Sequence, residues 1–420
     1  MMLSFHLIAG GSRRRFIATK VSSVISRLSR FLSMIGLALP LLSLVWGNHS
    51  ALAQNLQTSA PHAILIDADS HSVLFEKDVD ADVIPASTVK IMTAELVFHA
   101  LQEGRLHLDD EFTVSETAWR QGGAPGRGSA MFAAVNSRIR IEDLIRGLVI
   151  VSGNDAAITL AEGLDGSEGA FATLMTKRAR ELGLTRSVFT NSWGRDDPEQ
   201  RVTPREMVTL ANYVIHTYPD FYKYFGEKEF TWNKIRQTNR NPLLTMDFGA
   251  DGLKTGNIDA SGYGLVGSAV QNGQRLILAL YGAKTAKERA DEARKIFLWG
   301  FRSFESKLIF QAGETIGTAK VFGGAASDVP LVADGDVKLL VPHNSTEKFS
   351  GRIVYTGPLI APVEEGREVA HLKISRGTSE VLDLPLKTGS AVPEGPLPRR
   401  ALDAGLEYAT GLFRKYVLKQ

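Results

Sequence analysis

The chain has 420 residues, 44% hydrophobic and 22% charged, a balance that suits more than one domain with its own core and excludes a disordered or fibrous chain. It contains no cysteine, which excludes disulfides, a thiolate nucleophile and cysteine-based metal sites. Residues 1–53 hold six basic side chains (Arg13, Arg14, Arg15, Lys20, Arg27, Arg30) and no acidic one, so the rest of the chain is mildly acidic, against nucleic acid as a partner.

In chain order, the basic block is followed by the apolar run 31–46 and by Ala51-Leu52-Ala53, a small-x-small pattern before Gln54. This is the layout of a cleaved export signal, residues 1–53. The run spans about 16 residues and contains Pro40, short of the roughly 20 a membrane span needs. Residues 62–67 and 73–76 flank a turn at 70–72 and predict a β-hairpin. A helix is expected over 86–101, a glycine-rich loop over 121–128, and helical patterns over 141–162 and 167–182. Strand signals return at 262–270 and 275–283, joined by Asn272-Gly273, a strong hairpin turn. A helix over 286–304 follows. Strands at both ends of a helical middle predict one antiparallel sheet built from distant segments, an α+β fold. Short alternating segments over 305–388 predict a small all-β domain, and 389–398, with three prolines, a linker. Residues 399–420 are amphipathic. Leu402, Leu406, Ala409, Phe413, Tyr416 and Val417 form one face, and five basic residues flank it, the pattern of a helix lying in a membrane interface.

Three short motifs carry chemistry. Ser87 and Lys90 are separated by three positions, so in a helix they share a face. The apolar positions that follow imply burial, which favours a neutral lysine able to act as base to a serine nucleophile. Ser152-Gly153-Asn154 follows the apolar run 148–151, and Lys254-Thr255-Gly256 leads into the later strands. Two look-alikes, Ser345 to Lys348 and Lys387-Thr388-Gly389, are read as a polar turn and linker residues. Arg127, between two glycines, is a solvated loop residue or a cleft-lining one. The histidines are scattered with no His-Glu-x-x-His, so a zinc peptidase is not indicated and no cofactor is expected.

Ser-x-x-Lys, Ser-x-Asn and Lys-Thr-Gly in this order are the arrangement of penicillin-binding proteins and class A β-lactamases. The wider segments PASTVKIMT (85–93), SGNDAA (152–157), LGL (182–184), NRN (239–241), DGLKTG (251–256) and SGYGLVGSA (261–269) resemble the low-molecular-weight D-alanyl-D-alanine carboxypeptidase family over residues 60–304. The resemblance implies a catalytic domain over 54–304, with the β domain and terminal helix also in that family's layout. It implies that Ser87 attacks the carbonyl between two D-alanines at the end of a peptidoglycan stem peptide while Lys90 takes its proton. Ser152 and Lys254 pass a proton to the leaving amine, and Asn154 orients Lys90 and the substrate amide. Lys254 and Thr255, with Gly256, meet the terminal carboxylate, and the N–H groups of Ser87 and Asn257 form an oxyanion hole. Arg240 joins the substrate-binding set. β-Lactam antibiotics are the covalent inhibitors implied, and the periplasmic face of the cytoplasmic membrane is the implied location.

The chain departs from the family at Asn257-Ile258, where many members carry His-Thr or Tyr-Thr, and in the spacing from Arg240 to Lys254. A class A β-lactamase shares the motif order, but no Glu-x-x-Leu-Asn-like segment lies between Ser152 and Lys254. A D,D-endopeptidase of the same fold and a non-enzymatic wall-binding protein are the other readings.

Overall fold

The computed structural model describes residues 3–11, 14–18, 56–259, 261–343, 348–376, 379–401 and 405. The chain divides into two units, 56–306 with 340–343, and 307–339 with the remaining N- and C-terminal residues.

The first unit is built on a five-stranded antiparallel sheet. Its strands are β1 (His62–Asp67), β2 (Val73–Lys77), β3 (Ala250–Ile258), β4 (Gly262–Gln271) and β5 (Gln274–Ala283), in the order β2-β1-β5-β4-β3. Side chains alternate across a strand, and here both faces are buried. Ile64, Ile66, Val266, Ile277 and Ala279 enter one core. Ala63, Leu65, Leu265, Leu276, Leu278 and Leu280 enter the other. The β4–β5 hairpin turns at Asn272 and Gly273, both with positive φ (50° and 78°), the conformation such a two-residue turn requires.

The first core is covered by helices. In α1 (Lys90–Gln102), Ile91, Met92, Leu96, Val97 and Phe98 are buried together with Lys90, Thr93 and Glu95, and a helix enclosed on every side belongs in an interior. It is surrounded by α2 (Ile141–Val149), α3 (Asn154–Asp165), α4 (Glu168–Glu181) and α5 (Pro204–Thr217). The Thr203 side chain accepts from Glu206 N with Pro204 in the first turn, a capping arrangement that fixes where α5 begins. The second core is closed by α6 (Ala286–Ser303), capped by Thr285 through Glu288 N, with Ala293, Ile296 and Phe297 facing the sheet.

The pattern over 141–162 reads as one helix, but the structure breaks it between Val149 and Asn154, with Ser152 at a φ of 62°. The break lets Gly153 N donate to Gly147 O at 2.7 Å and Asn154 N to Ser129 O at 2.8 Å. The Lys-Thr-Gly motif lies inside edge strand β3 rather than before the strands.

The second unit is mainly one sheet. Gly317–Phe322, Asp328–Val332, Phe349–Tyr355, Glu368–Arg376 and Ser379–Thr388 supply most of it, and Leu3–Gly11 pairs in parallel with Phe349–Tyr355. Lys387 is in the last strand, with its Nζ 2.5 Å from Asp334, so it is a sheet residue and not a linker residue. The stretch expected as a linker is tied to this unit. Gly389 N donates to Pro330 O, Val392 N to Val363 O and Gly395 N to Gly323 O. Ser345, the apolar run 31–46 and nearly all of the terminal amphipathic stretch lie outside the described residues. Among the described residues no helix is long and apolar enough to cross a membrane.

Candidate active site

Ser87 lies in the 3-10 turn Ala86–Val89, just before α1 begins at Lys90. The turn is clamped from two sides by backbone that only glycine permits. A side chain on Gly256 of β3 would sit 2.8 Å from Pro85 O and 3.3 Å from Ser87 N. One on Gly194, whose φ is +91°, would sit 2.2 Å from Ala86 O. These approaches bring β3 and the 193–196 segment against the nucleophile.

Lys90 is fully buried. Its Nζ contacts Ser87 Oγ at 3.1 Å, Asn154 Oδ1 at 2.8 Å and Trp193 O at 2.6 Å. A neutral amine has two N–H bonds and one lone pair. Two of these neighbours, a carbonyl and an amide oxygen, can only accept, which leaves the lone pair for the serine hydroxyl. Burial, and then the charge of Lys254, hold the Lys90 pKa well below the usual lysine value.

Ser152, Asn154 and Lys254 complete the cluster. Lys254 Nζ donates to Ser152 Oγ at 2.9 Å and to Thr255 O at 3.0 Å. Burial, then the charges of Arg289 and Arg240, pull its pKa down to about 7. The Asp155 carboxylate accepts from Met131 N (2.9 Å) and Ala133 N (3.0 Å), anchoring the loop that faces Asn154.

These groups open into a cleft of about 730 Å3 whose walls include Ser87, Ser152, Asn154, Arg240, Thr255, Gly256 and Asn257. The structure therefore brings all nine sequence-identified site residues together. Lys90 and Lys254 differ from the rest in lying behind the cleft wall, so Lys254 reaches the cleft through Ser152 and beside Thr255. Sequence reasoning missed Arg289. It lines the cleft from α6 and is 8% exposed. Its Nη1 is 3.5 Å from Gly256 O, its guanidinium lies 5.7 Å from the Tyr263 ring centre, and its Nε has no hydrogen-bond partner. The signal was its position on the apolar stripe with Ala293, Phe297 and Gly300, where an arginine needs a reason to be.

A profile of the family described as D-alanyl-D-alanine carboxypeptidase matches residues 49–285, and one described as the C-terminal domain of penicillin-binding protein 5 matches residues 304–394. D-alanyl-D-alanine carboxypeptidase DacC of Escherichia coli strain K12 is 38% identical over 81% of this chain and 86% of its own length. The crystal structure of penicillin binding protein 5 from Haemophilus influenzae superposes with a TM-score of 0.73 at 34% identity, covering 81% of this chain and 99% of that one. Penicillin-binding protein D2 from Listeria monocytogenes, in an ampicillin-bound form, superposes with a TM-score of 0.51 at 29% identity, covering 59% of this chain and 99% of that one. A serine and a lysine three positions apart in a pre-built hydrogen-bond cluster, and agreement along most of the sequence, lead to one conclusion: the chain belongs to the D-alanyl-D-alanine carboxypeptidase family of serine hydrolases.

Proposed function

We propose that Ser87, deprotonated by Lys90, forms an acyl-enzyme with the penultimate D-alanine of a peptidoglycan stem peptide and expels the terminal D-alanine. The observation that carries this reading is the triple contact of Lys90 Nζ with Ser87 Oγ, Asn154 Oδ1 and Trp193 O. The Ser87 proton passes to Lys90 as Oγ bonds to the carbonyl carbon. The oxyanion is held by the N–H groups of Ser87 and Asn257. The nitrogen of the breaking C–N bond takes a proton through Ser152, which Lys254 supplies across 2.9 Å. A pKa of about 7 suits that donor at neutral pH. Water then cleaves the ester.

The terminal carboxylate is met by Thr255 and Arg289 on the cleft wall, with Lys254 behind them. Arg289 is suited to this because it is buried with an unpaired Nε, and a carboxylate would supply the missing acceptor. The same recognition serves β-lactams as covalent inhibitors, because they carry a carboxylate beside an amide. Turnover of a linear pentapeptide against a cross-linked dimer, with products read by mass spectrometry, tests the assignment. Free D-alanine from the linear peptide supports it, and cleavage of the dimer alone favours the endopeptidase reading.

We also propose that the catalytic domain runs over 54–304 and the β domain from 305 through the 389–395 stretch that is hydrogen-bonded into it. Residues 1–53 act as an export signal, and 399–420 hold the mature enzyme to the outer face of the cytoplasmic membrane. Cleavage of the signal removes Leu3–Gly11 and Arg14–Ala18, which leaves Phe349–Tyr355 as a sheet edge. A chain truncated before Arg399 should leave the membrane fraction, and one that still pellets with membranes refutes the anchor.

A further inference from the structure

The cleft carries an imbalance of charge that terminal-carboxylate recognition does not use up. Four arginines line it, Arg127, Arg195, Arg240 and Arg289, against one carboxylate, Asp196. Arg289 belongs to the Lys254 end, with its Nη1 3.5 Å from Gly256 O on the same strand, and its charge and that of Arg240 both lower that lysine's pKa. Arg127 and Arg195 come from the cleft-lining segments beside Asn154 and Trp193. Gly128, next to Arg127, packs so closely on Asn154 that a side chain there would lie 2.6 Å from its Nδ2. Arg195 stands two positions after Trp193, whose carbonyl accepts from Lys90. Both guanidinium groups are exposed and make no ion pair among the described residues. Elsewhere in this unit surface arginines are commonly paired, as Arg186 is with Asp82 and Arg205 with Asp80. Arg127 also holds a φ of 56°, a conformation that costs a residue with a side chain about 1 kcal/mol.

If the leaving D-alanine lies at the Lys254–Arg289 end, the acyl part of the peptide runs past Ser87 towards Asn154, Arg127 and Arg195. We propose that Arg127 and Arg195 form an acyl-side subsite for a second carboxylate, carried by the side chain of the residue preceding the D-alanyl-D-alanine pair. The preferred substrates are then peptides with an anion on each side of the scissile bond. This rests on the carboxypeptidase reading above and adds a selectivity to it. A contact away from the breaking bond is made equally in the ground and transition states, so it acts mainly on KM.

The test uses two peptides ending in D-Ala-D-Ala. In one the preceding residue is L-α-aminoadipate, with a free side-chain carboxylate, and in the other it is the side-chain amide. The wild type should favour the carboxylate peptide in kcat/KM by about 2- to 5-fold at low salt, the size expected of an exposed charge pair, and by less at high salt. In Arg127→Gln/Arg195→Gln the ratio should fall to near one, with circular dichroism and the melting temperature reporting the fold. In Arg195→Glu the preference should turn towards a peptide with a side-chain amine at that position. Equal handling of the two peptides by the wild type, or a preference that survives the double substitution, overturns the subsite. Failure of the carboxypeptidase reading looks different: neither peptide releases D-alanine.

Discussion

Lys254 Nζ donates to Ser152 Oγ across 2.9 Å, although the two residues stand 102 positions apart. One comes from an edge strand and the other from the break between two helices. Their contact adds a second buried lysine to the cluster that holds Ser87 and Lys90. Each lysine is buried, so each resists its own charge, and the charge of Lys254 further lowers the pKa of Lys90.

A pH dependence follows from this pair. A protonated Lys90 has no lone pair, so acylation by penicillin should rise with pH as Lys90 loses its proton, and level off below the usual lysine range. Lys254→Met removes a neighbouring positive charge, so Lys90 holds its proton to higher pH. The rising limb should move upward, and the limiting rate for peptide hydrolysis should drop by about 10²- to 10⁴-fold through loss of the proton donor. Stopped-flow acylation across pH checks the shift. A limb that stays in place or moves downward contradicts the coupling.

Arg289 should separate acids from amides. Replacing it by Gln keeps hydrogen-bonding capacity and removes charge from a nearly buried site. The preference for a peptide acid over its C-terminal amide should fall about 10- to 100-fold, the range of a charge-assisted hydrogen bond. Steady-state kinetics on both peptides measure it. An unchanged ratio would leave Arg240 as the recognising cation.

The frame behind Ser87 depends on a buried ion pair. The side chain of Glu95, in α1, is fully buried and accepts from Arg178 Nε and Nη2 (both 3.0 Å) and from Tyr218 Oη (3.0 Å). Arg178→Met strands that carboxylate, so unfolding free energy should fall by about 3–5 kcal/mol, read by urea denaturation. Glu95→Gln/Arg178→Met should recover part of the loss. A single substitution that costs nothing would mean that Glu95 is already neutral.

Much of the fold was legible because its signals are local. Asn272-Gly273 announces a hairpin by its φ preference, and the helical pattern expected over 286–304 matches α6. The site was legible because its motifs are short and contiguous. What escaped reading depends on distant partners. The apolar pattern over 141–162 gives no local sign that the helix must break to carry Ser152. Lys254 and Thr255 interrupt the apolar character of a strand, and their burial makes sense only once Ser152 supplies a polar neighbour. Arg289 was visible as a charge on an apolar helix face, but the Gly256 carbonyl and Tyr263 that surround it come from the sheet. Lys387 was misread because the prolines after it suggest a linker, whereas the strand ends one residue later, at Thr388.

The central claim is that Ser87 is the acylated residue. The direct measurement is peptide mapping by mass spectrometry after reaction with a penicillin. The account predicts one adduct, on the peptide containing Ser87, absent in Ser87→Ala and retained in Ser345→Ala. An adduct that maps elsewhere, or persists in Ser87→Ala, would contradict it.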